Sequence, residues 1–334
     1  MDKKKRLQIF EDMKKGVRPC CLPMDTIRYA EYRKDIYHLG EPEYKVKAGE
    51  IGISKDGRKR FTKDGGVWRV SQKEVYKNYE DVINMDLDYF LVEDVDESML
   101  EEMRRLYKDV AKTHVPVPWH YGTLLSRCEI EFGWDALLQA SALEPEAFCK
   151  VLDRIGESSL RVIDGWRRLD EVELIIIHDD IAATRSLIWS PDYLREYIFP
   201  WYKKFFDKVH ENGKKVLYIT DGNYSEIIDD LIGLGADGLY IESSSIDPEF
   251  VMNKGGPELY YLLKTDSRIM DYGTKDEILD EVIKIKKLHE VYPRIWSYMG
   301  GGSVKPGNKE AFLDFYDKYL IYDRATRKRA YRKD

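Results

Sequence analysis

In the second half of the chain, short apolar runs rich in β-branched residues alternate with stretches of helical periodicity, and each run ends on an ionisable residue. Ile175-Ile176-Ile177 leads into His178-Asp179-Asp180, and Val216-Leu217-Tyr218-Ile219-Thr220 into Asp221-Gly222. Leu239-Tyr240-Ile241 leads into Glu242, and Tyr261-Leu262-Leu263-Lys264-Thr265 into Asp266. Continuous apolar runs of this length predict parallel strands covered on both faces, with chemistry at their carboxyl ends. Strands are expected at Asp88–Glu93, Val115–His120, Glu173–Asp179, Lys214–Thr220, Ala236–Glu242, Tyr260–Thr265 and Arg294–Met299, with an earlier one at Arg18–Pro23. Eight strands with helices between them predict an α/β fold of the (β/α)8 barrel type. An open doubly wound sheet is the alternative.

The helices carry their own end signals. Ser190-Pro191 supplies an N-cap followed by a proline at the first helical position. Leu194, Tyr197, Ile198, Trp201, Phe205 and Val209 then recur at three- and four-residue steps, and Gly213 ends the helix. Pro200 lies inside this pattern and predicts a bend. Thr274 and Glu277 have capping-box spacing. Lys3 to Lys15 reads as a basic amphipathic helix. Residues 45–72, punctuated by Gly49, Gly52, Gly57, Gly65 and Gly66, read as an antiparallel hairpin excursion from one barrel domain spanning 1–334, so an N-terminal helical and hairpin extension is expected.

Composition narrows the function. The 334 residues carry a net charge of −7, so no cationic surplus is available for nucleic-acid phosphates. The basic ends, Lys3-Lys4-Lys5-Arg6 and Arg324 to Lys333, are short. No signal peptide or long apolar run is evident, and Cys20, Cys21, Cys128 and Cys149 form no C-x-x-C pair. A reduced, cytoplasmic protein is expected, with neither a nucleic acid nor a membrane as partner.

In a parallel barrel the carboxyl ends of all strands meet at one mouth. That places Glu93, His120, His178, Asp179, Asp180, Asp221, Glu242 and Asp266 there, with Lys264 and Arg185 as cationic partners. Several of these residues also have structural explanations. Asp221 suits a plain helix cap, His178 a support for its neighbours, and of Asp179 and Asp180 only one faces inward; Asp180 is the expected pocket residue. Carboxylates brought together cannot all ionise cheaply, so at least one should hold its proton unless a cation intervenes. A carboxylate–histidine set also suits a divalent metal, although no fixed ligand spacing is present. Gly300-Gly301-Gly302-Ser303 suits either an anion-binding turn or a tight turn alone.

The segment from His178 to Ala311 resembles the uroporphyrinogen decarboxylase superfamily. The matching residues are His178-Asp179-Asp180, Ser190-Pro191-Asp192-Tyr193-Leu194-Arg195-Glu196 with Pro200, His210 and Gly213, Asp221-Gly222-Asn223, Leu234-Gly235-Ala236-Asp237, Asp266, and Gly273-Thr274-Lys275-Asp276-Glu277. Asp64-Gly65-Gly66-Val67-Trp68 looks like a hairpin of the methyltransferase-like branch, which extends the likeness over most of the chain. The resemblance implies a (β/α)8 barrel that either decarboxylates a porphyrinogen or moves methyl groups to and from a corrinoid.

Two departures separate this chain from known branches. The decarboxylase branch has a Met-Arg-Gln-Ala-Gly-Arg signature, whereas here the early region reads Cys20-Cys21-Leu22-Pro23-Met24-Asp25. The thiol methyltransferases bind zinc through a His-x-Cys motif and a late cysteine, where this chain has Ile219-Thr220-Asp221 and Gly300-Gly301-Gly302.

The expectation is therefore an enzyme that demethylates a small O- or N-methyl compound onto a corrinoid partner protein. Asp180, Asp221, Glu242, Asp266 and His178 are its catalytic candidates, and Tyr218, Trp68, His120, Arg185 and Lys264 its substrate-binding candidates. Decarboxylation of uroporphyrinogen or a related acid is the alternative. A homodimer is consistent with the family.

Overall fold

The computed structural model describes residues 3–24, 36–39, 59–61, 67–69, 76–90, 95–112, 114–300 and 306–322. In chain order the elements begin with α1 (Lys3–Lys14), β1 (Ile36–Leu39), β2 (Lys59–Phe61), β3 (Val67–Arg69), α2 (Tyr79–Ile83) and a 3₁₀ turn at Leu87–Phe90. They continue through α3 (Glu97–Ala111), β4 (Val115–Tyr121), α4 (Leu125–Phe132), α5 (Trp134–Leu143), α6 (Pro145–Arg167) and β5 (Leu174–His178). Next come α7 (Pro191–Tyr193), α8 (Phe199–His210), β6 (Lys215–Ile219), α9 (Ile228–Leu234), β7 (Gly238–Glu242), α10 (Pro248–Gly255) and β8 (Tyr260–Lys264). The last elements are α11 (Ser267–Tyr272), α12 (Lys275–Val291), β9 (Ile295–Tyr298) and α13 (Pro306–Tyr319).

Seven strands pair in the order β1-β4-β5-β6-β7-β8-β9. Every pairing in that sheet is parallel, giving a half-barrel arc with helices outside it. The apolar runs form strands because both faces are covered: all five residues of β5 are buried. Beyond β9, Met24 bridges Ser297 in parallel, and the Ser297 N–H donates to the Pro23 carbonyl at 3.0 Å. The strand expected at Arg18–Pro23 is not formed: Cys21 makes an isolated antiparallel bridge to Ile321, and the bridge to the sheet falls on Met24, one residue beyond the expected range. The strand expected at Asp88–Glu93 is not formed over its described part. Leu87–Phe90 is a 3₁₀ turn whose buried Phe90 packs edge-on to Phe132, while Glu93 lies outside the described residues. Within 45–72, the described residues are the two short strands β2 and β3, which pair antiparallel with Arg60 opposite Trp68.

The local end signals act as expected. Ser190 Oγ accepts the Tyr193 N–H at 3.2 Å, and Thr274 and Glu277 form a reciprocal capping box. Between α7 and α8 the chain widens into a π-turn over Leu194–Ile198, where the Phe199 N–H donates to the Leu194 carbonyl. Pro200 has no N–H to continue the regular ladder, and the wider turn directly ahead of it absorbs that loss. Gly156 lets α6 meet α8 closely: a Cβ there would fall 2.4 Å from the Trp201 ring.

The amino end of the sheet is covered by α1. Ile9, Phe10 and Met13 are buried, Phe10 stacks on Tyr260, and Lys14 pairs with Glu173 at 2.7 Å. A shallow cavity there, lined in part by Phe10, Glu173 and Tyr260, lies at the strand beginnings. The carboxyl ends carry the ionisable residues. No helix among the described residues is long and apolar enough to cross a membrane.

Candidate functional site

Strand alternation decides which residues reach the mouth. On β4, Trp119 and Tyr121 share a face and meet the His178 ring, with centroids 5.5 and 4.6 Å away. His120 points the other way. It is buried against α6, with Nε2 2.9 Å from Ser159 Oγ and its ring edge-on to Trp166. On β6, Tyr218 likewise faces the helices: its hydroxyl donates to the Asp179 carbonyl at 3.0 Å and lies 3.1 Å from the Tyr202 hydroxyl of α8. Neither His120 nor Tyr218 is brought to the mouth. Both sit one residue out of phase with the inward-facing positions.

The inward-facing positions form one connected network. The Trp119 indole N–H donates to His178 Nδ1 at 3.0 Å, and His178 Nε2 lies 3.0 Å from Asp180 Oδ1. An indole N–H is only a donor, so Nδ1 accepts and the imidazole proton on Nε2 is given to Asp180. Asp180 Oδ1 also accepts the backbone N–H of Asp221 at 3.0 Å, which ties the end of β5 to the end of β6. Asp221 Oδ1 accepts the Tyr240 hydroxyl of β7 at 2.9 Å. Glu242 Oε2 accepts the Gly222 N–H at 3.2 Å and the Ser245 hydroxyl at 2.9 Å, and its Oε1 meets Lys264 Nζ at 2.6 Å. Asp180, Asp221, Glu242, His178 and Lys264 are thus gathered at the ends of four neighbouring strands.

Asp179 has a different task. It is fully buried and accepts the N–H groups of Leu124, Leu125 and Ser126 at 3.3, 3.0 and 2.6 Å, plus the Tyr202 hydroxyl at 2.7 Å. Its carboxylate closes the amino end of α4. Asp266 caps α11 and forms an ion pair with Arg268 at 2.9 Å; its backbone N–H donates to the buried Glu281 at 3.0 Å. Arg185 is exposed, and its carbonyl accepts the Asn223 side-chain amide at 3.4 Å. Trp68 is placed on the hairpin strand β3, and Gly301-Gly302-Ser303 lies outside the described residues.

The mouth carboxylates are driven apart electrostatically. Burial works against charge on Asp180, yet His178, the Asp221 N–H and Lys264 hold its carboxyl below the ordinary range. Glu242 is held low in the same way by Lys264, Ser245 and the Gly222 N–H, against the cost of burial. Asp221 moves upward: burial, then the charges of Glu242 and Asp180, outweigh the opposing pull of Lys264. Asp221 is exposed to the open mouth yet crowded on its protein side, so it combines solvent access with a proton-holding tendency.

Among the described residues, no three His, Cys, Asp or Glu side chains are grouped to hold a metal ion. Cys128 is buried in α4, where burial pushes its thiol well up, and Cys149 lies on α6. A thiolate-bound zinc therefore does not fit the donor set of this mouth.

The fold and the row of strand-end carboxylates define an α/β protein of the barrel type. The uroporphyrinogen decarboxylase (URO-D) family profile matches residues 118–290, and the chain belongs to that family. A methyltransferase from Methanosarcina mazei shares the fold, with a TM-score of 0.61 and 15% identity over 93% of this chain and 98% of that one. A D-psicose 3-epimerase solved with D-fructose aligns over 70% of this chain and 84% of its own, at 9% identity and a TM-score of 0.34. No curated protein sequence matches.

Proposed function

We propose that this protein is a methyltransferase of the family, removing a methyl group from a small O- or N-methyl compound with a corrinoid partner protein as co-substrate. The half-barrel is taken to close as a (β/α)8 barrel, the Cys21–Met24 edge meeting β1. The observation that carries the proposal is the joined set of strand-end carboxyls, in which Asp180 Oδ1 accepts both His178 Nε2–H and the Asp221 N–H at 3.0 Å while exposed Asp221 stands beside Glu242. This setting favours the anion on Asp180 and the proton on Asp221. Such divergence marks a division between an anion and a proton donor.

For an ether donor the assignment is direct. The methyl carbon forms its new bond to the nucleophilic metal of the co-substrate while its C–O bond breaks. The bonding pair stays on oxygen, which takes the proton of Asp221, and Asp221 recovers a proton from solvent at the open mouth. General acid catalysis of this kind contributes roughly 10²–10⁴-fold. Asp180 and the Glu242–Lys264 pair fix the polar wall against which the donor lies. With an external metal nucleophile, no activated serine or cysteine is required of this chain.

The decarboxylase alternative is less well supported. A polyacidic porphyrinogen needs cationic partners, whereas the described mouth network holds Asp180, Asp221 and Glu242 against a Lys264 already paired at 2.6 Å. The early sequence also lacks the arginine-bearing signature.

The deciding experiment is anaerobic incubation with reduced cobalamin and a panel of aryl methyl ethers and methylated amines, followed by absorbance and product analysis. Donor-dependent loss of the reduced cobalamin spectrum supports methyl transfer. No response to any donor, together with conversion of uroporphyrinogen to coproporphyrinogen, overturns it.

A further inference from the structure

The mouth contains a chain of contacts whose direction is set at its far end by a residue that reaches neither solvent-facing carboxyl. Trp119 gives its indole N–H to His178 Nδ1 at 3.0 Å, with the two rings stacked at an interplanar angle of 23°. Tyr121 packs against the same imidazole edge-on at 86°. The ring is therefore held in plane by stacking and in tautomer by the indole donor. On its other side, Nε2 gives its proton to Asp180 Oδ1, the same oxygen that accepts the Asp221 N–H. Both bonds fall on Oδ1. Among the described residues, Oδ2 accepts none, and the side chain remains 25% exposed.

We propose that Trp119 is a positioning residue: by fixing the Nε2–H tautomer of His178 it orients the Asp180 carboxylate, so that Oδ1 is consumed by the protein and Oδ2 is presented to the substrate. This rests on the proposed mouth chemistry for its consequence but not for its geometry. Oδ2 suits a donor that carries a positive charge or an N–H or O–H group near the methyl. The indole N–H and the Asp180 carboxylate favour the same tautomer from opposite sides of the ring; without the indole, Nδ1 loses its donor and only Asp180 favours the proton on Nε2. In the other tautomer two acceptors, Nε2 and Oδ1, would face each other at 3.0 Å.

The test uses the full chain labelled with ¹⁵N at its six histidines, with the His178 signals assigned by their loss in His178→Gln. Wild type should show an acceptor-type Nδ1 and a protonated Nε2, and Trp119→Phe should show these two signals averaging or exchanging identity. If wild type carries its proton on Nδ1, or if Trp119→Phe leaves both shifts unchanged, the proposal fails. A second readout in wild type guards against a poorly folded variant. The Trp119 indole proton should be shifted downfield and protected from exchange, and a solvent-like indole proton overturns the proposal. Where a methyl donor has been found, Trp119→Phe should lower kcat by about tenfold, and unchanged turnover with an altered tautomer also overturns the positioning role. The spectroscopic arms need no substrate, so failure of the methyl-transfer proposal leaves them decisive.

Discussion

The backbone N–H of Asp221 donates to Oδ1 of Asp180 at 3.0 Å, so the residue inclined to hold a proton is mechanically tied to the one inclined to lose it. The tie runs through main chain, and substituting the Asp221 side chain leaves it in place. Asp221→Asn removes the titratable group while keeping an acceptor for the Tyr240 hydroxyl. Turnover is expected to fall roughly 10²–10⁴-fold, with a denaturation midpoint close to wild type. Equal losses of turnover and stability would place Asp221 among structural residues.

The Glu242–Lys264 pair predicts a pH-dependent stability difference. Glu242 is held below its ordinary value of 4.5 in the folded protein, by Lys264 above all, against the opposing effect of burial. A depressed carboxyl contributes stability that is present above the unfolded value and is lost as pH falls through the folded one. Lys264→Met leaves Glu242 largely buried without its cation, which should destabilise by about 1–3 kcal/mol at pH 7. Without its cation, buried Glu242 takes its proton at higher pH than in wild type, so the gap should begin to narrow as the variant's carboxyl is protonated. It should close once pH has fallen through the depressed wild-type value and Glu242 is protonated in both. Urea denaturation at pH 7, 5 and 3 measures it, and a gap that widens on acidification contradicts the ion-pair assignment.

Asp179 is expected to behave as a structural residue despite standing between two candidate catalytic ones. Three backbone N–H groups and the Tyr202 hydroxyl converge on it. Asp179→Ala leaves those donors without their acceptor in a buried place, at a cost of roughly 3–5 kcal/mol. Asp179→Asn should also be destabilising, because its amide presents donors to donors. A measured loss under 1 kcal/mol for both would mean that the amino end of α4 is held otherwise.

Much of the framework was readable in the sequence because its signals are local. The Thr274–Glu277 box and the Ser190-Pro191 start each act within a turn and are found where their residues stand, while the bend expected at Pro200 is met by a π-turn directly ahead of it. The side a residue faces was readable only through strand phase. Trp119, Tyr121 and Tyr240 share the inward phase with His178 and Glu242, whereas His120 and Tyr218 are one position off and pack against helices. Their chemistry made them attractive as ligand-binding residues, and alternation was the signal that separated them. Two features depend on distant partners and carried little local signal. β1 is four residues long and stands as a strand by pairing with Val115–Pro118. The 3₁₀ turn at Leu87–Phe90 lies in a β-like Asp-Tyr-Phe-Leu-Val run, and Phe90 finds its partner in Phe132 of α4.

Gly222 offers the sharpest separation of backbone need from side-chain chemistry. Its φ of +87° is a left-handed conformation, and a Cβ there would lie 2.5 Å from the Ala183 carbonyl oxygen. That same carbonyl accepts the Asn223 N–H at 2.8 Å, so it cannot withdraw without losing the link between the loops after β5 and β6. Gly222→Ala should therefore cost about 2–4 kcal/mol and displace the N–H that Gly222 gives Glu242. Gly213 is the control: its φ is +67° but nothing lies within 4 Å of the added carbon, so Gly213→Ala should cost only about 1 kcal/mol. Chemical denaturation of both variants checks the difference. If Gly213→Ala proves as damaging as Gly222→Ala, crowding by Ala183 is not what requires glycine at the mouth.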